Sequence, residues 1–161
     1  VLVVNPNVPA QTAKEFQAWL KQKNGEATYA SGGNGTILHL ASEMFLDEAG
    51  VKARHIPYKG VGPMLTDLIG GQVQFMFYHP AAVMPHIKSG KLRALGASGA
   101  KRSVAAPEVA TLQEQGLPDF DLVAWFMVYA PASTPAAEVA RLHDAMQRAL
   151  AAPAVAASAP Q

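Results

Sequence analysis

The sequence predicts an α/β fold with a mostly parallel sheet flanked by helices on both faces. Strand-like and helix-like segments alternate along nearly the whole chain, the pattern of a sheet whose connections are helices. Half of the 161 residues are hydrophobic, at 50%, enough to build a core and too many for a disordered chain.

Val1 to Val4 is an apolar run that reads as the first strand. Thr12 and Glu15 form a capping box, and Phe16, Trp19, Leu20 and Lys23 follow at helical spacing. Residues 27–30 read as the second strand and 37–49 as the second helix. Ile37, Leu40, Ala41, Met44 and Phe45 are its expected apolar stripe, and Gly50 stops it. Residues 53–58 form the third strand. The turn Lys59-Gly60-Val61-Gly62 leads to Pro63 at a first helical position, and that helix ends at Gly70-Gly71. Residues 73–78 are the fourth strand, and His79-Pro80 opens a helix that Pro85 should bend or shorten. Residues 92–96 are the fifth strand.

Beyond them, 98–106 is small and basic and reads as a linker, and 107–115 as a short helix. Residues 120–129 are a strand rich in large side chains, with Trp125 and Phe126 expected in the core. Thr134-Pro135 opens the last helix, whose buried stripe should be Val139, Leu142, Met146 and Leu150.

Composition excludes several functions. Thirteen Lys plus Arg against twelve Asp plus Glu leave a net charge of +1, with the basic residues scattered, so no nucleic-acid footprint exists. With no cysteine there is no disulfide framework and no thiolate metal site. The five histidines show no metal-binding spacing, so neither metal nor cofactor is expected. Gly96 to Ala100 misses the GxSxG nucleophile elbow at its last position, and the chain is not read as an enzyme. No apolar stretch approaches the ~20 residues that cross a bilayer. The opening VLVVNPN lacks a basic n-region and the end is Ala/Pro-rich, so a mature or truncated piece is expected.

The chemistry concentrates in YASGGNGTILH, residues 29–39. Gly32, Gly33 and Gly35 let the backbone turn, Thr36 can cap the following helix, and that helix adds partial positive charge at its first turn. A carboxylate or phosphate fits there without a cationic side chain. In parallel sheets ligands sit beyond the carboxyl ends of the strands, so the turns at 31–36, 59–62 and 78–80 are expected on one rim. His39 can hydrogen-bond back to the turn or brace it, ahead of any catalytic role. Lys59 can add charge, and Tyr78 with His79 can line a cleft. Two other readings stay open: a tight βα turn with no ligand, and a nucleotide site. The second is incomplete, since Leu38 stands where the third glycine of GxGxxG belongs and no P-loop lysine follows.

The segments VVNPNVPAQT, YASGGNGTILHLASEMF, HIPYKGVGPMLTDLIGGQVQFMF, MPHIKSGKLRALGAS, PEVATLQEQGLPDFDLVAWF and APASTPAAEVARL occur in an order that resembles the periplasmic substrate-binding receptors of tripartite tricarboxylate transporters, the Bug receptors. The resemblance implies a lobe of a two-lobed class II periplasmic binding protein. Such a receptor is no enzyme; it closes on a small carboxylated solute and delivers it to a membrane permease. It implies ligand contacts from Ser31, Asn34, Gly35 and Thr36, N–H donors at Gly32 and Gly33, support from His39, and second-rank contacts from Lys59, Gly60 and Tyr78. Residues 5–98 would be the second, ligand-binding lobe, and 99–161 a linker with the returning strand and helix of an incomplete first lobe. Receptors of this family usually carry aspartate where this chain has Tyr78, which favours bulkier or aromatic acids over amino acids. The alternatives are a nucleotide- or phosphate-binding α/β enzyme domain, and a truncated lobe that binds nothing and self-associates by exchanging its terminal segment.

Overall fold

A computed structural model describes residues 1–104, 106–125 and 127–156. It divides into two compact units, Val1–Val123 and Ala124–Gln161.

The first unit contains strands β1 (Leu2–Val4), β2 (Thr28–Ser31), β3 (Arg54–Pro57), β4 (Phe75–Phe77) and β5 (Arg93–Gly96), joined in one sheet of order β3-β2-β4-β1-β5. Helices α1 (Ala13–Lys23), α2 (Ile37–Glu48), α3 (Val61–Ile69) and α4 (Pro80–Lys88) alternate with the strands. β2 is parallel to β3 and β4, whereas β1 is antiparallel to both β4 and β5. The sheet is therefore mostly parallel with one reversed strand in its interior. Strict alternation predicted β1 in the common direction. A short run buried on both faces reads the same from either end, so hydrophobicity carries no information about its polarity.

Alternation across the pleat divides the core in two. Leu2, Val4, Tyr29, Phe75 and Phe77 face one side with Phe16 and Leu20 of α1 and Phe45 of α2. Val3, Ala30 and Met76 face the other with Met64 and Leu68 of α3 and Val83 of α4. Both faces are covered, as the pattern requires. Asn5 fastens the segment after β1 by donating from Nδ2 to the carbonyls of Leu68 (2.7 Å) and Ile69 (3.0 Å).

Two expectations about the first unit's helices need correction. On α2 the buried face is Ala41, Ser42, Phe45 and Leu46, while Ile37, Leu40 and Met44 are exposed. The stripe is rotated because Ser42, which donates to the Leu38 carbonyl at 2.9 Å, satisfies its hydroxyl locally and can be buried. The helix expected over 107–115 is a single 3-10 turn, Gln113–Gln115, closed by Gly116 at φ 99°. Its surroundings still belong to the core: Leu112, Leu117 and Phe120 pack with the first cluster. Residues 99–123 therefore pack as part of the first unit, a division by contact that is separate from the functional division expected at 98.

The second unit holds α5 (Ala136–Ala151) and α6 (Pro153–Ala156). The strand expected over 120–129 is absent among the described residues, and Phe126 lies outside them. Trp125, expected in the core, is 69% exposed. The apolar face of α5 is present at the expected spacing, but Val139, Leu142, Met146 and Leu150 are all exposed, and no described residue of α5 is buried. A single amphipathic helix has no second layer of its own to bury its stripe.

Candidate functional site

The register fixes the rim. Ser31 at the end of β2 lies opposite Pro57 of β3, and the pairing of Tyr29 with Phe75 brings Ser31 level with Phe77 of β4. The turns after β2, β3 and β4 thus leave the same edge of the sheet. α2, α3 and α4 begin there, with Thr36, Gly60 and His79 at their N-caps. Three helix N-termini consequently bring partial positive charge to one rim.

Hydrogen bonds within the turn determine what it can offer. Ser31 is fully buried; its Oγ accepts from the Gly33 amide at 3.1 Å and lies 2.6 Å from His55 Nε2. Thr36 Oγ1 donates to the Gly33 carbonyl (2.8 Å) and caps the helix by accepting from the His39 amide (3.4 Å). The Gly35 amide donates to His39 Nδ1 at 3.2 Å, and the Thr36 amide to the Gly33 carbonyl at 3.3 Å. Gly33 at φ 124° and Gly35 at φ 75° occupy conformations that suit glycine.

The donors expected of the turn are accordingly redistributed. The amides of Gly33, Gly35 and Thr36 are engaged inside it, so Gly33 does not present the N–H donor expected of it. Among the described residues, the amides of Gly32, Asn34, Ile37 and Leu38 have no protein acceptor. Buried Ser31 shapes the turn from within, while Gly32, Asn34 and Gly35 are exposed at its surface.

Behind the turn lies a cluster that the sequence did not reveal. The rings of His39 and His55 stack with centroids 4.2 Å apart, and His55 stacks on Tyr29 at 4.9 Å. The Tyr29 phenol donates to Glu43 Oε1, which is 4.0 Å from His39 Nε2. Burial, then the Glu43 contact, pushes the Tyr29 phenol well above its usual range. Burial, then the neighbouring His39, lowers the pKa of His55, with Glu43 opposing. His39 was expected to bond back to the turn, and it does. Tyr29, Glu43 and His55 were missed; the i, i+4 pair His39/Glu43 was the one available signal.

Lys59, Gly60 and Tyr78 share the rim but have no hydrogen bond to the glycine turn among the described residues. Lys59 is exposed, and Gly60, at φ 148°, starts α3. Tyr78 packs on the second core cluster, and burial raises its pKa, keeping it a neutral wall. A separate cleft, lined by Gln11, Leu92, Arg93, Glu108 and Gln115, lies along β5 at the far edge of the sheet. Its cation is already employed: Arg93 donates to the Val8 and Ala10 carbonyls, both at 3.0 Å. No cluster of metal-ligating side chains occurs among the described residues.

A family model described as the tripartite tricarboxylate transporter family receptor matches residues 1–160. The chain belongs to this receptor family. It is a family of solute-binding receptors, and BugD, a solved protein similar to this chain, is a periplasmic binding protein. BugT of Bordetella pertussis is 37% identical over 155 residues, covering 96% of this chain and 48% of BugT. A solved R. palustris protein with adipate matches at TM-score 0.90 and 30% identity, over 96% of this chain and 52% of that one. MatC of Rhodopseudomonas palustris, with bound malate, matches at TM-score 0.92 and 28% identity, over 98% and 54%. The chain therefore spans about half the length of these relatives. No helix among the described residues is long and apolar enough to cross a membrane.

Proposed function

We propose that the chain is a ligand-binding lobe of a periplasmic receptor that captures a small carboxylated organic solute for a tripartite permease, without catalysis. One observation carries this reading: backbone amides of Gly32, Asn34, Ile37 and Leu38 lie without protein acceptors where α2 begins, on a rim shared with the starts of α3 and α4. Four donors and a helix dipole form a seat for a carboxylate. The relatives solved with adipate and malate support that ligand class.

Gly32 and Asn34 face the solute in this reading, while Ser31, Gly33, Gly35, Thr36 and His39 shape the turn. Lys59, Gly60 and Tyr78 line the approach, and the neutral phenol of Tyr78 favours bulky or aromatic acids over amino acids. One rim leaves a bound solute largely in water, so the chain alone should bind weakly.

The test is a titration of the isotope-labelled chain with malate and with adipate. Saturable shifts at the Gly32, Asn34, Ile37 and Leu38 amides support the reading. Shifts confined elsewhere, or none at millimolar acid, refute it. Thr36→Leu should abolish the response and leave the circular dichroism spectrum unchanged. A second proposal rests on a separate observation, the exposed apolar face of α5: the chain self-associates through its terminal unit.

A further inference from the structure

We propose that His39 and His55 are the positioning residues of the glycine turn, and that they hold it for an acidic solute only while the stacked pair is uncharged. The second clause rests on the carboxylate reading above.

Two bonds tie the rings to the turn, from the Gly35 amide to His39 Nδ1 at 3.2 Å and between Ser31 Oγ and His55 Nε2 at 2.6 Å. A nitrogen that accepts from an amide carries a lone pair. His39 Nδ1 is therefore unprotonated, and its ring proton sits on Nε2, toward Glu43. A proton added at Nδ1 would set one N–H against another. Gly35, held at φ 75°, would then turn away and carry the neighbouring amides of Asn34 and Thr36 with it.

The surroundings make the pair sensitive to that proton. At 4.2 Å and 29° between ring planes, two positive imidazoliums would repel strongly, so the stack holds at most one charge. The facing groups come from three elements. β2 contributes Tyr29, a neutral phenol; α2 contributes Glu43, already accepting from that phenol; and β3 contributes His55 itself. Arg54, next to His55 on β3, projects from the opposite face of the sheet by strand alternation. The lowered pKa of His55 fits a ring kept neutral near pH 7. An imidazolium would also attract the acid, but Glu43 beside it offsets much of that field, while the lost Gly35 bond acts on the seat directly.

The test follows the labelled chain between pH 7.5 and 5. Without solute, hydrogen-exchange protection at the Gly35 amide, which donates to His39 Nδ1, should fall between pH 7.5 and 5; protection unchanged to pH 5 overturns the proposal. With malate as probe, affinity should fall about five- to tenfold over the same range. His39→Asn, whose Oδ1 takes the place of Nδ1 as acceptor, should lose most of that pH dependence relative to its own affinity at pH 7.5. This comparison also cancels the protonation of malate. His39→Leu should bind more weakly throughout with its circular dichroism spectrum retained. An Asn variant with the parent's pH profile overturns the proposal. If malate and adipate fail to bind at any pH, the carboxylate reading falls, and Gly35 exchange in the parent and in His39→Leu alone decides whether the rings position the turn.

Discussion

Thr36 shows how much one side chain does at this rim. Its hydroxyl caps α2 through the His39 amide and closes the turn through the Gly33 carbonyl. Thr36→Ala should therefore lower unfolding free energy by about 1 kcal/mol, the usual worth of such a cap, read as a shifted urea midpoint with unchanged slope. His55 makes a second prediction, with its sign set by linkage. Its folded pKa lies below the ordinary imidazole value of 6.5, so the unfolded chain binds a proton more readily. The corresponding stability is fully present above about pH 6.5 and is lost as pH falls through the lowered value. His55→Gln, whose amide can still reach Ser31, should flatten the fall in melting temperature over that interval. An identical slope in parent and variant would assign the pH dependence to other groups.

Among the glycines, Gly96 at the end of β5 has the least room. A Cβ on Gly96 would come within 2.5 Å of Leu112 Cδ2 and 3.2 Å of Gln115 Nε2. Gln115 in turn donates to the Leu95 carbonyl at 2.7 Å and accepts from the Ala13 amide at 2.8 Å. Gly96→Ala should thus pry the 3-10 turn from the strand and cost about 1–3 kcal/mol, as overpacking does; an unchanged melting temperature would contradict this. Element identity was legible where local chemistry is explicit. The Thr12 half of the expected capping box forms, with the Glu15 amide donating to Thr12 Oγ1 at 3.2 Å, whereas Glu15 Oε2 reaches one residue further back and accepts from the Gln11 amide at 2.7 Å. The glycine turn before α2 was legible for the same reason. What tertiary contact decides was not: the reversed direction of β1, the rotated face of α2 and the Tyr29–His55–His39 stack depend on partners distant in sequence, and periodicity within one segment cannot encode them.

At the scale of the molecule, the two units bury their apolar residues very differently. The first encloses its sheet between two helical layers, whereas α5 leaves Val139, Leu142, Met146 and Leu150 in solvent, on one face at i, i+3, i+7 and i+11. The sequence periodicity of α5 was read correctly and its burial was not, because periodicity identifies the face that needs a partner without supplying one. Exposed apolar stripes of this kind favour association, and two copies can satisfy each other through a two-fold arrangement of the same face. Light scattering of the chain should show a concentration-dependent rise above the monomer mass of 17.0 kDa. The double substitution Leu142→Glu and Leu150→Glu should abolish it. Outside the stripe, on the polar flank of α5, Glu138 pairs with Arg141 at 2.8 Å, and Glu138→Ala should leave the association in place. A strictly monomeric parent at high concentration would refute the self-association proposal while leaving the carboxylate seat, which belongs to the other unit, untouched.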